Sequence, residues 1–256
     1  MQETIRLNLP RYYLFEFERH LAQMQLKSAG FTVLAVEDGH FLVKGDPPAT
    51  ALRKLAFFRE VIIGDRIREP LLTYESVVEK TAAIWRRSKN PTETVELLNR
   101  LDSIQVRKKE SQYLTHMIHP YKGRFYPQMI RALINISTSE NGQTVLDPFC
   151  GCGTTLLESF LLSQNAIGVD LHPLACMISR AKVNSLRIPA EQLEIEIVGL
   201  LNRIEAALAR GLASGQDSLP DIPNIDLWFA PAILEQLLLI KDQIQLVEDP
   251  AFKELA

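Results

Sequence analysis

One stretch constrains this chain more than any other: Val145-Leu-Asp-Pro-Phe-Cys-Gly-Cys-Gly-Thr-Thr155. It runs from an apolar strand through a glycine turn into a helix. Thr144–Leu146 reads as a short buried strand and Thr155–Ser163 as the helix that follows. Gly151 and Gly153 let the backbone pass close under a ligand, where a Cβ would collide. Thr154 and Thr155 fall at the helix start, where side-chain hydroxyls cap free N–H groups. Ala166–Asp170 reads as a second strand, Leu174–Asn184 as a second helix, and Pro127–Ile136 as a helix ahead of the motif. This βαβ order opens a doubly wound parallel sheet, so the fold class is α/β.

The residues also limit what the turn can hold. A triphosphate loop needs a lysine after its last glycine, and none is present. A dinucleotide fingerprint needs a third glycine where this chain has Leu156. Asp170 lies 19 residues after Gly151, at the end of the next strand, placed to accept hydrogen bonds from two ribose hydroxyls. Asp147, at the end of the first strand, suits a cationic ligand. S-adenosylmethionine carries a ribose, a sulfonium and an ammonium, and no pyrophosphate.

The segment Asp147-Pro-Phe-Cys-Gly-Cys-Gly-Thr-Thr-Leu-Leu-Glu158 resembles the donor-binding motif of the amino-group DNA methyltransferases, which make N4-methylcytosine or N6-methyladenine. Their usual spelling is Asp-Pro-Phe-x-Gly-Ser-Gly-Thr-Thr, so Cys152 is a conservative departure. His119-Pro-Tyr-Lys122 with Pro127 is similar to the family's His-Pro-x-x-Lys-Pro element, and Gly168-Val-Asp170-Leu-His-Pro173-Leu-Ala175 to its ribose-binding segment. The resemblance covers about residues 116–186, continues weakly through Trp228-Phe229 and leaves out residues 1–110. It implies S-adenosyl-L-methionine as cofactor. The binding residues it implies are Asp147, Pro148, Phe149, Cys150, Gly151, Gly153, Thr154, Thr155 and Asp170, with His119 and Tyr121 walling the pocket. The tRNA guanine-N2 methyltransferases look similar around Asp-Pro-Phe-Cys-Gly and carry an N-terminal ferredoxin-like RNA-binding module.

Upstream, the pattern differs. Thr4–Leu9 and Tyr13–Phe17 look extended, and His20–Ala29 has helical spacing. Thr32–Val36, Glu37-Asp-Gly39 and His40–Lys44 read as a hairpin whose Asp-Gly favours a tight turn with positive φ. A helix over Thr50–Phe58 and a strand over Val61–Ile63 complete a β-α-β-β-α-β order, that of a small α+β ferredoxin-like module. The boundaries expected are 1–72 for this module, 73–112 for a helical, charged linker, and 113–256 for a Rossmann-like methyltransferase domain with an incomplete sheet. Beyond Ala190 the chain reads as almost wholly helical, interrupted by a Gly/Ser/Asp/Pro-rich loop at Gly211–Asn224.

Arg107, Lys108, Lys109, Lys122, Arg124 and Arg131 interleave with Tyr113, Tyr121, Phe125 and Tyr126. Basic and aromatic residues so mixed suit a nucleic-acid backbone and a displaced base; Lys122, Arg124, Arg107 and Lys108 are the candidates, against aromatic packing beneath a solvated rim. The net charge of −3 decides nothing here, since binding needs only a local basic surface. His116, His119 and the three cysteines fit no structural zinc pattern, and no metal is expected. Cys176 and Trp228-Phe229 read as core. With no disulfide framework, no signal-peptide order at the N-terminus and no apolar run of the ~18 residues a membrane span needs, the chain reads as cytoplasmic.

Both resembled families also use an Asn/Asp/Ser-Pro-Pro-aromatic motif, whose oxygens accept the amine hydrogens while the ring stacks on the extruded base. The one candidate is Asp46-Pro-Pro-Ala49, where Ala49 offers no ring. It reads as a strand-to-helix loop, unless the family's motif order is permuted. The chain therefore looks C-terminally truncated or split, its sheet completed by a second chain or a missing C-terminal part. The function expected is methylation of a base amine in DNA, with tRNA guanine-N2 methylation and a non-catalytic donor- or nucleic-acid-binding subunit as rivals.

Overall fold

The computed structural model describes residues 4–10, 13–46, 49–68, 114–138, 140–211 and 222–256. The chain divides into two compact units, Met1–Ser179 and Arg180–Ala256. The charged segment at 74–110, including Arg107 and Lys108, lies outside the described residues.

The first unit opens with β1 (Thr4–Asn8), α1 (Glu16–Ser28), β2 (Thr32–Glu37), β3 (His40–Lys44), α2 (Ala49–Lys54), β4 (Glu60–Ile63) and β5 (Arg66–Arg68). The strands form an antiparallel sheet in the order β2-β3-β1-β4-β5. Alternation sets its inner face: Ile5 and Leu7 of β1, Phe41 and Val43 of β3 and Val61 of β4 are buried. Ala22 and Leu26 of α1 and Leu52 of α2 close the core against them, with Phe58 set edge-to-face on Phe41 at 5.5 Å. Burying each such side chain stabilises the fold by roughly 1.5–3 kcal/mol.

Three local expectations need correction. Tyr13–Phe17 is not a strand, because α1 begins at Glu16: the Glu18 carboxylate turns back to accept the Phe15 N–H at 2.9 Å and starts the helix early. The helix expected over Thr50–Phe58 stops at Lys54, and Phe57 takes a left-handed φ of 65° that ends any helix. The Asp38-Gly39 turn is tight, yet neither residue has a left-handed φ.

After a 3-10 turn (Leu114–Met117), the unit continues with α3 (Pro127–Ser137), β6 (Thr144–Asp147), α4 (Thr154–Leu161), β7 (Asn165–Gly168) and the start of α5 (Pro173–Ser185). β6 and β7 pair in parallel, Asp147 opposite Gly168. Thr144–Leu146 is not the buried strand expected: Leu146 is 62% exposed, and Ile167 of β7 is 54% exposed beside it. Packing of α3 and α4 against β6 through Ile130, Ile134, Leu162 and Val145 covers one side only among the described residues.

Helix α3 also places Ala132 in the core of the antiparallel sheet. Polar bonds reinforce that junction. The Gln25 amide donates to Ala56 O at 2.6 Å and accepts the Ala56 N–H at 3.0 Å; Asn135 donates to Lys54 O at 2.8 Å, and Lys54 to Leu162 O at 2.9 Å. A cavity of about 420 Å³ lies here, lined by these polar groups together with Asn141 and Gln164.

The second unit is helical: the end of α5, α6 (Ala190–Ala209), α7 (Ile225–Trp228), α8 (Pro231–Gln245) and α9 (Pro250–Leu255). Leu200, Val247 and Phe252 form its core, and Asp249 caps α9 by accepting the Ala251 and Phe252 N–H groups. Trp228 is not a core residue: it ends the four-residue α7 and is 77% exposed. No described helix is long and apolar enough to cross a membrane.

Candidate functional site

The turn between β6 and α4 is built by backbone geometry. Gly151 and Gly153 both take left-handed φ values, 49° and 79°, which cost other residues dearly. Their constraints differ. A Cβ on Gly151 would meet the Tyr121 ring at 3.2 Å, whereas one on Gly153 would lie 2.9 Å from the Ser179 side chain on α5. Gly153 is therefore small so that α5 can pack.

Two side chains tie the turn to its neighbours. Asp170, just past β7, accepts the Gly151 N–H at 2.9 Å through one oxygen and the His172 N–H at 2.8 Å through the other. These bonds, His172 first and Gly151 second, hold the Asp170 carboxyl below the ordinary aspartate range. Ser179 donates its hydroxyl to Gly151 O at 2.8 Å. The Cys150 N–H donates to Val169 O, so the turn continues the parallel ladder by one step.

Cys150 and Cys152 are buried. Burial, above all, pushes the Cys150 thiol up, and the Asp147 and Asp170 charges add to this. Cys176 is half-buried and donates to Asp170 O at 3.5 Å, so it is a rim residue of this site and not core. Among the described residues, no group of three His, Cys, Asp or Glu could hold a metal ion.

At the start of α4 the structure departs from the capping expected of Thr154 and Thr155. Gly153 is the N-cap, and among the described residues no side chain caps the helix. Both threonines are buried, and among the described residues the Thr154 hydroxyl has no hydrogen-bond partner. The first N–H groups of a helix have no intrahelical acceptor, so this end keeps donors and partial positive charge. In the preceding turn Asp147 accepts the Phe149 N–H at 3.1 Å, the Phe149 ring is 84% exposed, and Leu171 is 99% exposed next to Asp170.

Tyr121 stands against Gly151, in the same segment as the exposed His119 and Lys122. Arg124 folds back to donate to His116 O at 3.0 Å. Arg131, counted among the basic surface residues, is 2% exposed and paired with Glu158 at 2.8 Å, because α3 turns that face inward. Asp46 lies in the loop after β3; among the described residues no hydrogen bond or ion pair joins it to the β6–α4 turn.

Sequence reasoning missed Ser179, and it quoted Gly168 and Glu158 within motifs without assigning either a role of its own. A Cβ on Gly168 would lie 2.6 Å from Leu156 and 3.0 Å from Cys150. The missing third glycine is thus supplied from the strand: Leu156 is large because Gly168 opposite is small. The Gly-Val-Asp spelling held that signal; nothing in sequence pointed to Ser179.

A family model described as DNA methylase, of the N6/N4 methyltransferase class, matches residues 37–181, more than half of the chain. The match begins inside the antiparallel-sheet module, well upstream of residues 116–186 and of the 1–110 boundary read from the motifs. The type II methyltransferase M.MjaII of Methanocaldococcus jannaschii is 35% identical over 37% of this chain and 17% of its own length. The type II methyltransferase M.MvaI of Kocuria varians is 30% identical over 53% of this chain and 31% of its own. A tRNA (guanine(10)-N2)-dimethyltransferase of M. jannaschii is 38% identical over 25% of this chain and 17% of its own. The chain thus spans between 17 and 31% of the length of these curated relatives. With more than half of its residues matched, the chain belongs to the DNA methylase family.

Proposed function

We propose that this chain binds S-adenosylmethionine and serves the transfer of its methyl group to an exocyclic amine of a nucleic-acid base, in DNA, with S-adenosylhomocysteine as the leaving group. The observation that carries the reading is the uncapped start of α4 beside the Asp170-locked turn. Its unspent N–H donors, with the unpartnered Thr154 hydroxyl, suit the donor's carboxylate. Asp147 and Asp170 supply negative charge for the sulfonium and ammonium. Each Asp170 oxygen holds one N–H and keeps a lone pair for a ribose hydroxyl. Exposed Leu171 and Phe149 offer apolar faces to the adenine. When bound, S-adenosylmethionine supplies an electrophilic methyl on a cationic sulfur. His119 and Tyr121 wall the pocket, while Lys122 and Arg124, with Arg107 and Lys108, track the nucleic-acid backbone.

The fold belongs to this reading as a Rossmann-like donor domain preceded by a ferredoxin-like module, which the strand order β2-β3-β1-β4 supports. That module and the 38% identical relative give tRNA guanine-N2 methylation as a second reading. Amine positioning falls to a Pro-Pro-aromatic motif, for which Asp46 lacks the ring. A non-catalytic donor-binding subunit is the third reading.

Calorimetry with S-adenosylhomocysteine on the 256-residue chain tests the donor site. Asp170→Ala is expected to weaken binding by about tenfold or more. Unchanged affinity in both Asp170→Ala and Gly153→Leu would sink the assignment. Tritium transfer to duplex DNA and to bulk tRNA then separates the substrates: counts in tRNA alone favour the second reading, and donor binding without counts even after a C-terminal partner is added favours the third.

A further inference from the structure

We propose that a buried triad, His116–Glu158–Arg131, is a positioning device that holds Tyr121 on the donor turn. Three elements meet at one carboxylate. Glu158 of α4, wholly buried one turn into the helix, accepts the Arg131 Nε–H of α3 at 2.8 Å through one oxygen. Its other oxygen faces His116 Nε2, from the 3-10 turn, at 2.9 Å; His116 and Arg131 are 1% and 2% exposed. A carboxylate is costly to bury unless its partners are placed well, and apolar residues of similar volume hold helices together as firmly. What a charged network adds is one permitted placement of the elements that share it.

That placement matters because of what hangs from His116. Its carbonyl accepts the Arg124 guanidinium at 3.0 Å, closing residues 116–124 into a loop. Left-handed backbone at Leu114 (φ 50°) and Gly123 (φ 78°) marks the loop's two ends. Lys122 and His119 are exposed, so they do not anchor it. Tyr121 is the member that reaches the turn, its ring edge 3.2 Å from where a Gly151 Cβ would stand. The chain of contact runs from Glu158 through His116 to the loop and from Tyr121 to Gly151. His116, Glu158 and Arg131 touch no substrate in this arrangement; they act through Tyr121.

This inference rests on the donor-site reading for its functional consequence, and on geometry alone for the anchor. His116→Ala removes the anchor, whereas His116→Gln keeps an N–H within reach of Glu158. Hydrogen exchange of the intact chain is expected to rise at least tenfold in amides 116–124 for His116→Ala, with α3 and α4 unchanged, and to return for His116→Gln. S-adenosylhomocysteine affinity is expected to fall about tenfold in His116→Ala and to recover in the glutamine variant. In a Tyr121→Ala background, His116→Ala is expected to add no further loss, since both act on one contact. Additive losses, or unchanged exchange in amides 116–124, overturn the proposal. If the unaltered chain binds no S-adenosylhomocysteine, the donor reading fails, and the exchange experiment still decides the anchor. Should His116→Ala not fold, the same exchange and affinity comparison between His116→Gln and His116→Asn decides it, the shorter side chain being the one expected to lose the anchor.

Discussion

Asp170 shows how one side chain can be read correctly in place and incompletely in role. Its position at the end of β7 is visible in sequence, but its carboxylate already holds two backbone N–H groups. Because these bonds favour the ionised form, its folded pKa lies below that of an unfolded aspartate. The lock is therefore complete above the ordinary aspartate range and is lost as pH falls through the lower, folded value. Amide NMR shifts of Gly151 and His172 are expected to titrate together, with a midpoint below that of an exposed aspartate. A midpoint in the ordinary range would mean that the bonds do not form in solution. Arg131 teaches the complement. A basic residue in a basic segment looks like surface, and only the packing of α3 on α4 turns it to Glu158.

At the scale of elements, most helices and strands are found within a few residues of the reading, and the departures have local causes. Alternating Tyr13-Leu-Phe-Glu-Phe17 mimics a strand until the Glu18 back-bond is known. Glycines divide in the same way, by what surrounds them. Gly153 has both a left-handed φ and the Ser179 side chain at 2.9 Å, while Gly39 has neither constraint, with nothing within 4 Å of where its Cβ would stand. Gly153→Ala is expected to cost roughly 2–4 kcal/mol by strain and overpacking. Gly39→Ala is expected to be neutral or to stabilise by up to about 1 kcal/mol. Urea melts of the two variants make the comparison, and equal midpoints would show that α5 does not constrain the turn.

At the scale of the whole molecule, the antiparallel module and the β6–β7 segment are neighbours within the first compact unit. Ala132 lies in the module's core, and Gln25 and Asn135 bond across the junction. A chain beginning at residue 114 would uncover that face of α3. It is expected to melt roughly 10 °C or more below the full chain, or to aggregate, as followed by circular dichroism and light scattering. An unchanged melting temperature would show the two to be separable. Deleting the module is thus a poor probe of substrate choice, since it disturbs α3, which carries Arg131.

By itself, the sequence determined the turn, its flanking strands and helices, the acidic residue after β7 and the antiparallel module's element order. These follow from short-range rules: side-chain period, glycine freedom and helix-start preferences act within a few residues. Tertiary structure decided the rest. It made Gly153 a packing glycine, paired Leu156 with Gly168, left one side of β6 and β7 open among the described residues and drew His116, Glu158 and Arg131 together. The residues that meet in these contacts lie as far as 42 positions apart along the chain, and pairing at that range is set by how whole elements pack, which local periodicity does not encode.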